Sequence, residues 1–232
     1  MATKAVINFG IKNRALFKGP VLEIGSLIDP SYEQFLPREI HEDVNEPYVG
    51  IDIFDGEGVD HTINMCHDNE IPENWTSNGG YYETVHCHDV MEHVTDIFSM
   101  AKNIDRVVKV GGKLYISVPF VWKIHRIPID MWRFTPQSID YLFPNFEFKK
   151  NQCGISTRGD EFYPIDHMPE LNLGSSIDKL NPFFKYSIKI LRKLKLDNNF
   201  FKNRALLPEI NLMMIGEKKN NATYSFMDAK LL

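Results

Sequence analysis

The side chains of this sequence best suited to chemistry gather after three apolar, strand-like runs. Glu23, Gly25 and Ser26 follow one run, and Asp52 closes the next. Glycine lets a ligand approach the backbone, and an acid at a strand end accepts both hydroxyls of a ribose. The full G-x-G-x-x-G pattern is absent, which disfavours a nicotinamide or flavin enzyme. Cys66, His67, His86, Cys87, His88 and His93 are dense enough to raise a metal centre. On an extended strand, however, His86 and His88 face one side and Cys87 the other, so a compact tetrahedral set is awkward and no metal is assigned. Asp89, Glu92 and His93 follow the same run, where they serve either a site or a helix start. Further on, His125 can take a proton near neutral pH and Asp130 can orient or charge it, so this pair reads as a general base or as a tie within its loop. Arg133 offers a planar fork to an anionic or hydroxyl-rich acceptor, or pairs with Asp130. Trp122 and Trp132, with His93, form either core or the wall of a flat or sugar-like pocket.

These groups need a scaffold, and the pattern supplies one. Val21-Leu22-Glu23-Ile24, introduced by Gly19-Pro20, reads as a first strand, with others over 48–53, 59–64 and 81–89. Ile97, Ala101, Ile104 and Val108 then fall at helical spacing, with Thr95 placed as the cap and Gly111-Gly112 as the stop. A fifth strand over 113–118 closes at Pro119. Thr135-Pro136 begins a helix through Ile139 and Leu142. Strands over 146–152 and 211–216 are separated by a long segment with its own helix over 183–196. There Phe184, Ile188, Leu191 and Leu194 share one face, and Lys185, Lys189 and Arg192 another. That basic amphipathic helix packs on the parent domain, or forms a substrate lid, a homodimer contact or a weak membrane-surface contact. Alternating strands and helices, apolar on both faces, imply a mostly parallel sheet covered on two sides.

Composition narrows the class. The chain has 232 residues, 43% hydrophobic and 25% charged, with a net charge of −5. Those values exclude disordered and fibrous proteins and give no strong nucleic-acid signal. Three cysteines, an odd number without a CxxC spacing, fit a reducing compartment, and with no transmembrane run or signal sequence the expected location is cytoplasmic.

Taken in order, four runs resemble a class I S-adenosylmethionine-dependent methyltransferase of the type 11 group. They are Val21-Leu22-Glu23-Ile24-Gly25-Ser26; Tyr48-Val49-Gly50-Ile51-Asp52 with Gly58-Val59-Asp60; His88-Asp89-Val90-Met91-Glu92-His93-Val94; and Val107-Val108-Lys109-Val110-Gly111-Gly112-Lys113-Leu114. Ile129-Asp130-Met131-Trp132-Arg133-Phe134-Thr135-Pro136 is similar to a segment in one branch of that group. The resemblance implies an α/β, Rossmann-like, seven-stranded sheet with helices on both faces, the last strand antiparallel and a helical insert before it. It divides the chain into a helical segment (1–18), a cofactor-binding core (19–152), an insert or lid (153–205), the final core strand (206–218) and a tail (219–232).

The resemblance further implies S-adenosylmethionine as cofactor. Its methionine part would lie near Glu23 and Gly25 with Ser26, its ribose on Asp52 and Ile53, and its adenine by Asn64 and Met65, with Asp89 at the same edge. Two departures stand out: Leu27-Ile28-Asp29-Pro30 replaces the further glycines of the loop, and Asn64-Met65-Cys66 stands where many relatives have an acid. The implied reaction is methyl transfer to an oxygen or nitrogen of a small molecule, a saccharide or its nucleotide-linked precursor. The altered glycine loop also fits a methyltransferase-like module that binds or assembles without turnover.

Overall fold

Eight strands form one sheet in the computed structural model, which describes residues 2–31, 35–41, 47–126, 128–157, 160–168, 209–220 and positions 186, 190, 193 and 194. The strands are β1 (Val21–Ile24), β2 (Tyr48–Asp52), β3 (His61–Thr62), β4 (Tyr82–His88), β5 (Val108–Val121), β6 (Phe146–Ser156), β7 (Phe162–Pro164) and β8 (Ile210–Lys218). Their order across the sheet is β3-β2-β1-β4-β5-β8-β6-β7. β1 to β5 pair in parallel, while β8 runs antiparallel to both β5 and β6. Winding therefore reverses between β1 and β4, the crevice where open α/β sheets receive ligands.

Register brings the strand ends level. Ile24 pairs with Ile51 on one side and Cys87 on the other, and His88 pairs with Ser117. Gly25, Asp52, Asp89 and the end of β5 thus meet at one carboxyl edge. All four residues of β1 are buried, as a central parallel strand requires.

Two cores cover the sheet. On one face α1 (Lys4–Lys12), capped by Thr3, packs Val6, Ile7 and Phe9 against Tyr115, Met213 and Ile215. The alternate residues Leu114, Ile116, Leu212 and Met214 face the larger core, which includes Ile97, Met100, Ala101 and Ile104 of α3 (Ile97–Val107) and Ile139 and Leu142 of α4 (Pro136–Leu142). α2 (Glu73–Thr76) adds the buried Trp75. The period-two split of neighbouring residues between cores is what a sheet covered on both sides demands.

The structure corrects several sequence expectations. The cap of α3 is Asp96, whose side chain accepts from the Ser99 amide, and not Thr95. The helix also stops before the glycines. Val107 hands over directly to Val108, which pairs with Tyr82, and the extra residues before Lys113 bulge from the ladder with Gly111 at φ +85°. β-branched valines favour this extended exit. β6 runs past 152 to Ser156 because Cys153 to Ser156 keep pairing with β8, so the expected core limit at 152 falls inside a strand. Its antiparallel neighbour β7 makes the sheet eight-stranded where seven were expected. Of the helix expected over 183–196, Phe184, Lys185, Ile188, Lys189, Leu191 and Arg192 lie outside the described residues, as does most of the tail over 219–232. Among the described residues no helix is long and apolar enough to cross a membrane.

Candidate active site

A cavity of about 420 Å³ opens at the carboxyl edge of β1, β2, β4 and β5. Ile24, Ile51, Ile63, Met65 and Met100 make its floor apolar, while Asp52, Asn64, Asp89, Glu92, His93 and His125 are its polar points. That size and mixture suit a nucleoside-bearing small molecule.

At the β1 end Gly25 adopts φ +82°, in the left-handed region open to glycine. Its amide, like that of Ser26, donates to the Ile51 carbonyl, and this bends the chain away from the strand end. Asp52 accepts from the Phe54 amide at 3.1 Å and the Leu27 amide at 3.4 Å, which fixes its carboxylate at the rim. Leu27, which stands where a glycine was expected, lines the cavity beside Asp29 and Ile53. Asn64 Oδ1 accepts from the Cys66 amide at 2.9 Å and keeps one lone pair for a ligand amine.

Glu23 and Ser26 are not brought to this cavity. Period-two alternation turns Glu23 to the opposite face from Ile24, where its carboxyl accepts from the Tyr48 hydroxyl at 2.5 Å. With Ser26 it lines a much smaller cavity shared with Pro37 and His88. Burial pushes the Glu23 carboxyl up to about 7, against the opposing Tyr48 hydrogen bond and the Arg38 charge.

The far end of the cavity is built by the segments after β4 and β5. Asp89, at φ +52°, accepts from Ser117 Oγ and Asn211 Nδ2, so β8 helps to hold it. Trp122, His125 and Pro128 form the wall above it, together with His93. Asp130 Oδ2 accepts from the His125 amide at 2.8 Å and stands 3.3 Å from His125 Nδ1. Arg133 lies against the same carboxylate through both terminal nitrogens, at 2.5 and 2.8 Å. The guanidinium holds the Asp130 carboxyl far below the usual carboxylate range. Arg133 also donates to the Trp122, Lys123 and Trp132 carbonyls. Trp132 Nε1 donates to the Val94 carbonyl, and neither Trp132 nor Arg133 lines the cavity. Both therefore brace the wall that carries Trp122 and His125.

Sequence reasoning left Glu92 open between a site role and a helix-start charge and did not place it among the candidate site residues. In the fold it sits in a single 3₁₀ turn, Met91–His93, 1% exposed, between the His93 and His125 rings. Burial, then the neighbouring Asp89, pushes its carboxyl up to about 8, and burial pushes the His93 imidazole down. The placement of Glu92 on a 3₁₀ turn, and its approach to a residue over 30 positions away, had no signature in the local pattern.

Comparison with known proteins identifies the family and the fold. A family described as a methyltransferase domain matches residues 13–150. The chain belongs to that family: it is a class I S-adenosylmethionine-dependent methyltransferase of the type 11-like group. No curated protein matches it by sequence. Similar solved structures include a SAM-dependent methyltransferase from Archaeoglobus fulgidus, with TM-score 0.51 and 15% identity over 94% of this chain and 95% of that one. The YcgJ protein of Bacillus subtilis gives 0.52 and 11% over 93% and 99%. A 1,6-didemethyltoxoflavin-N1-methyltransferase of Burkholderia thailandensis, solved with S-adenosylhomocysteine, gives 0.51 and 11% over 94% and 80%. Identities this low establish a shared fold.

Proposed function

We propose that this enzyme transfers the methyl group of S-adenosylmethionine to a hydroxyl oxygen or an amine nitrogen of a small molecule that enters beside Trp122, and that His125 takes the acceptor's proton. The observation that carries the reading is the His125–Asp130 pair, 3.3 Å apart, at the end of the cavity away from Asp52. A saccharide or its nucleotide-linked precursor is the acceptor class we favour, because Trp122 offers a flat wall and His93 and His125 offer polar edges. Three unpaired cysteines fit work in the cytoplasm.

When bound, the sulfonium of the cofactor supplies an activated methyl carbon. Asp52 would receive the ribose hydroxyls, Asn64 and Met65 would border the adenine, and Gly25 and Asp89 would border the methionine part. The apolar floor excludes water from the reacting atoms and alignment lowers the barrier. Asp130, kept ionised by Arg133, stands 3.3 Å from His125 Nδ1, which also faces the Lys123 carbonyl, and a proton held on Nδ1 leaves the Nε2 lone pair to remove a hydroxyl proton. A panel of saccharides, nucleotide sugars and small amines, followed by release of S-adenosylhomocysteine, tests the assignment. With an accepted substrate, His125→Ala lowers turnover at least about tenfold with cofactor affinity intact. Near-normal turnover moves the base elsewhere.

A further inference from the structure

Glu92 has no part in the reaction above, and its position is costly without one. Its Oε2 has no hydrogen-bond partner among the described residues. Its Oε1 stands 3.7 Å from His93 Nε2 and 3.9 Å from His125 Nε2, beyond hydrogen-bond range. Each imidazole has its other nitrogen committed. His93 Nδ1 is 2.5 Å from the Ile129 carbonyl, and His125 Nδ1 is 3.3 Å from both the Lys123 carbonyl and Asp130 Oδ2. Carbonyl and carboxylate oxygens only accept, so in each neutral ring the proton sits on Nδ1 and the Nε2 lone pair is bare. A Glu92 carboxyl oxygen and two imidazole nitrogens therefore face one another, all within 4.8 Å, and neither imidazole turns a donor to the group. The rings cross at 80° with centroids 4.9 Å apart, so they meet edge to face and do not stack.

We propose that Glu92, His93 and His125 bind a divalent first-row transition cation at the acceptor end of the cavity, and that the cation holds an oxygen of the methyl acceptor. The second clause rests on the functional reading above; the cation site itself does not. Two imidazoles and one carboxylate are a donor set suited to zinc, cobalt or iron(II), and three protein ligands leave coordination positions open for another oxygen. Magnesium and calcium prefer all-oxygen sets. The Nδ1 partners, the Ile129 carbonyl for His93 and the Lys123 carbonyl for His125 with the Asp130 carboxylate close by, are of the kind that orient metal-bound histidines elsewhere. Bonds of about 2.0–2.2 Å place adjacent ligand atoms roughly 3–3.6 Å apart, so the two Glu92 separations need to close by only a few tenths of an ångström. The larger adjustment falls to His125, which is carried by irregular backbone after β5. With the cation bound, His125 would be a ligand and the coordinated hydroxyl, made more acidic by the cation, would give its proton to solvent; without it, His125 would be the base that takes that proton.

The test is a cobalt(II) titration of chelator-treated full-length protein, followed by visible absorption, with zinc as competitor and S-adenosylhomocysteine calorimetry on the same sample as a check on the fold. We expect one equivalent of cobalt at micromolar affinity or tighter, without the thiolate charge-transfer absorption that Cys66 would add. Glu92→Gln and His125→Asn should each weaken binding at least about 100-fold, more than loss of an outer partner costs, while His67→Asn changes nothing. If Glu92→Gln fails to fold, His125→Asn carries the comparison. No one-equivalent site, or equal affinity in wild type and both variants, overturns the proposal. A cobalt-free protein that still binds S-adenosylhomocysteine and methylates an acceptor through His125 retains the base reading alone. Conversely, turnover that chelator abolishes and cobalt restores ties the cation to the acceptor.

Discussion

A Cβ added to Gly25 would stand 2.4 Å from Val90 Cγ2, so the protein itself keeps the end of β1 bare. From sequence, the expected obstacle was the ligand; in the fold the residue after Asp89 is an obstacle already, and φ +82° adds a backbone penalty for any side chain. Gly25→Ala should therefore lower stability by about 1–3 kcal/mol as well as weakening cofactor binding. Val90→Ala in that background removes the collision and leaves the backbone term, so part of the stability should return. Urea unfolding of the two single variants and the double variant measures this. Strict additivity would show that Val90 is not the obstacle.

Asp52 should carry a large share of cofactor affinity. Its carboxylate is held by the Leu27 and Phe54 amides at the cavity rim, ready to accept two ribose hydroxyls. Losing hydrogen bonds to a charged group costs about 1.5–3 kcal/mol, which predicts a roughly 10- to 150-fold weaker complex for Asp52→Ala. Asp52→Asn keeps one acceptor oxygen and should fall between. Calorimetry with S-adenosylhomocysteine decides the placement, and equal affinities for wild type and Asp52→Ala would refute it.

The parts legible in sequence were those set by local pattern. β1, β2 and β4 announced themselves as apolar runs ending in small or acidic residues, and the α4 cap was written in Thr135-Pro136, with Ser138 completing the capping box. Parallel register then forces Gly25, Asp52 and Asp89 to one edge, which is why the local pattern sufficed to place those three together. Side-chain direction was less legible. Glu23 sits next to Ile24 but on the other face, and its Tyr48 partner on β2 appears only once the strands are paired. Loop geometry was hardest: Arg133 could be read as an acceptor clamp or a brace, and only its contacts with Asp130, Trp122 and Lys123 distinguish the two.

From those contacts we infer that Arg133 is a positioning residue. Lysine at 133 keeps the charge but cannot grip both Asp130 oxygens while reaching the Trp122 and Lys123 carbonyls. Arg133→Lys should loosen the wall that holds His125 and reduce kcat roughly tenfold, with S-adenosylhomocysteine affinity nearly unchanged. An arginine that bound the acceptor directly would instead raise KM at preserved kcat. Steady-state kinetics in the varied acceptor separate these outcomes.

The opposite face of the sheet should contribute to the acid limit of the fold. His41 Nε2 lies 2.7 Å from His86 Nε2, and His86 Nδ1 lies 3.0 Å from His88 Nε2, a buried chain of three imidazoles packed against Phe17, Tyr48 and Tyr115. Burial pulls His41 down to about 4, His88 to about 3, and His86 well below its ordinary value. Unfolding returns each ring to about 6.5, so below that pH the unfolded chain binds more protons than the folded one. Their contribution is complete above about pH 6.5 and is lost as pH falls toward the folded values. The slope approaches about 1.4 kcal/mol per pH unit for each ring. Glu23, raised to about 7 by burial, works in the opposite sense between its unfolded and folded values and flattens the total. A single substitution isolates one ring. Between pH 6 and 4 the stability of wild type relative to His88→Asn should fall by roughly 1.4 kcal/mol per unit, read from urea midpoints across that range. Parallel curves would mean that His88 is not held neutral in the folded protein.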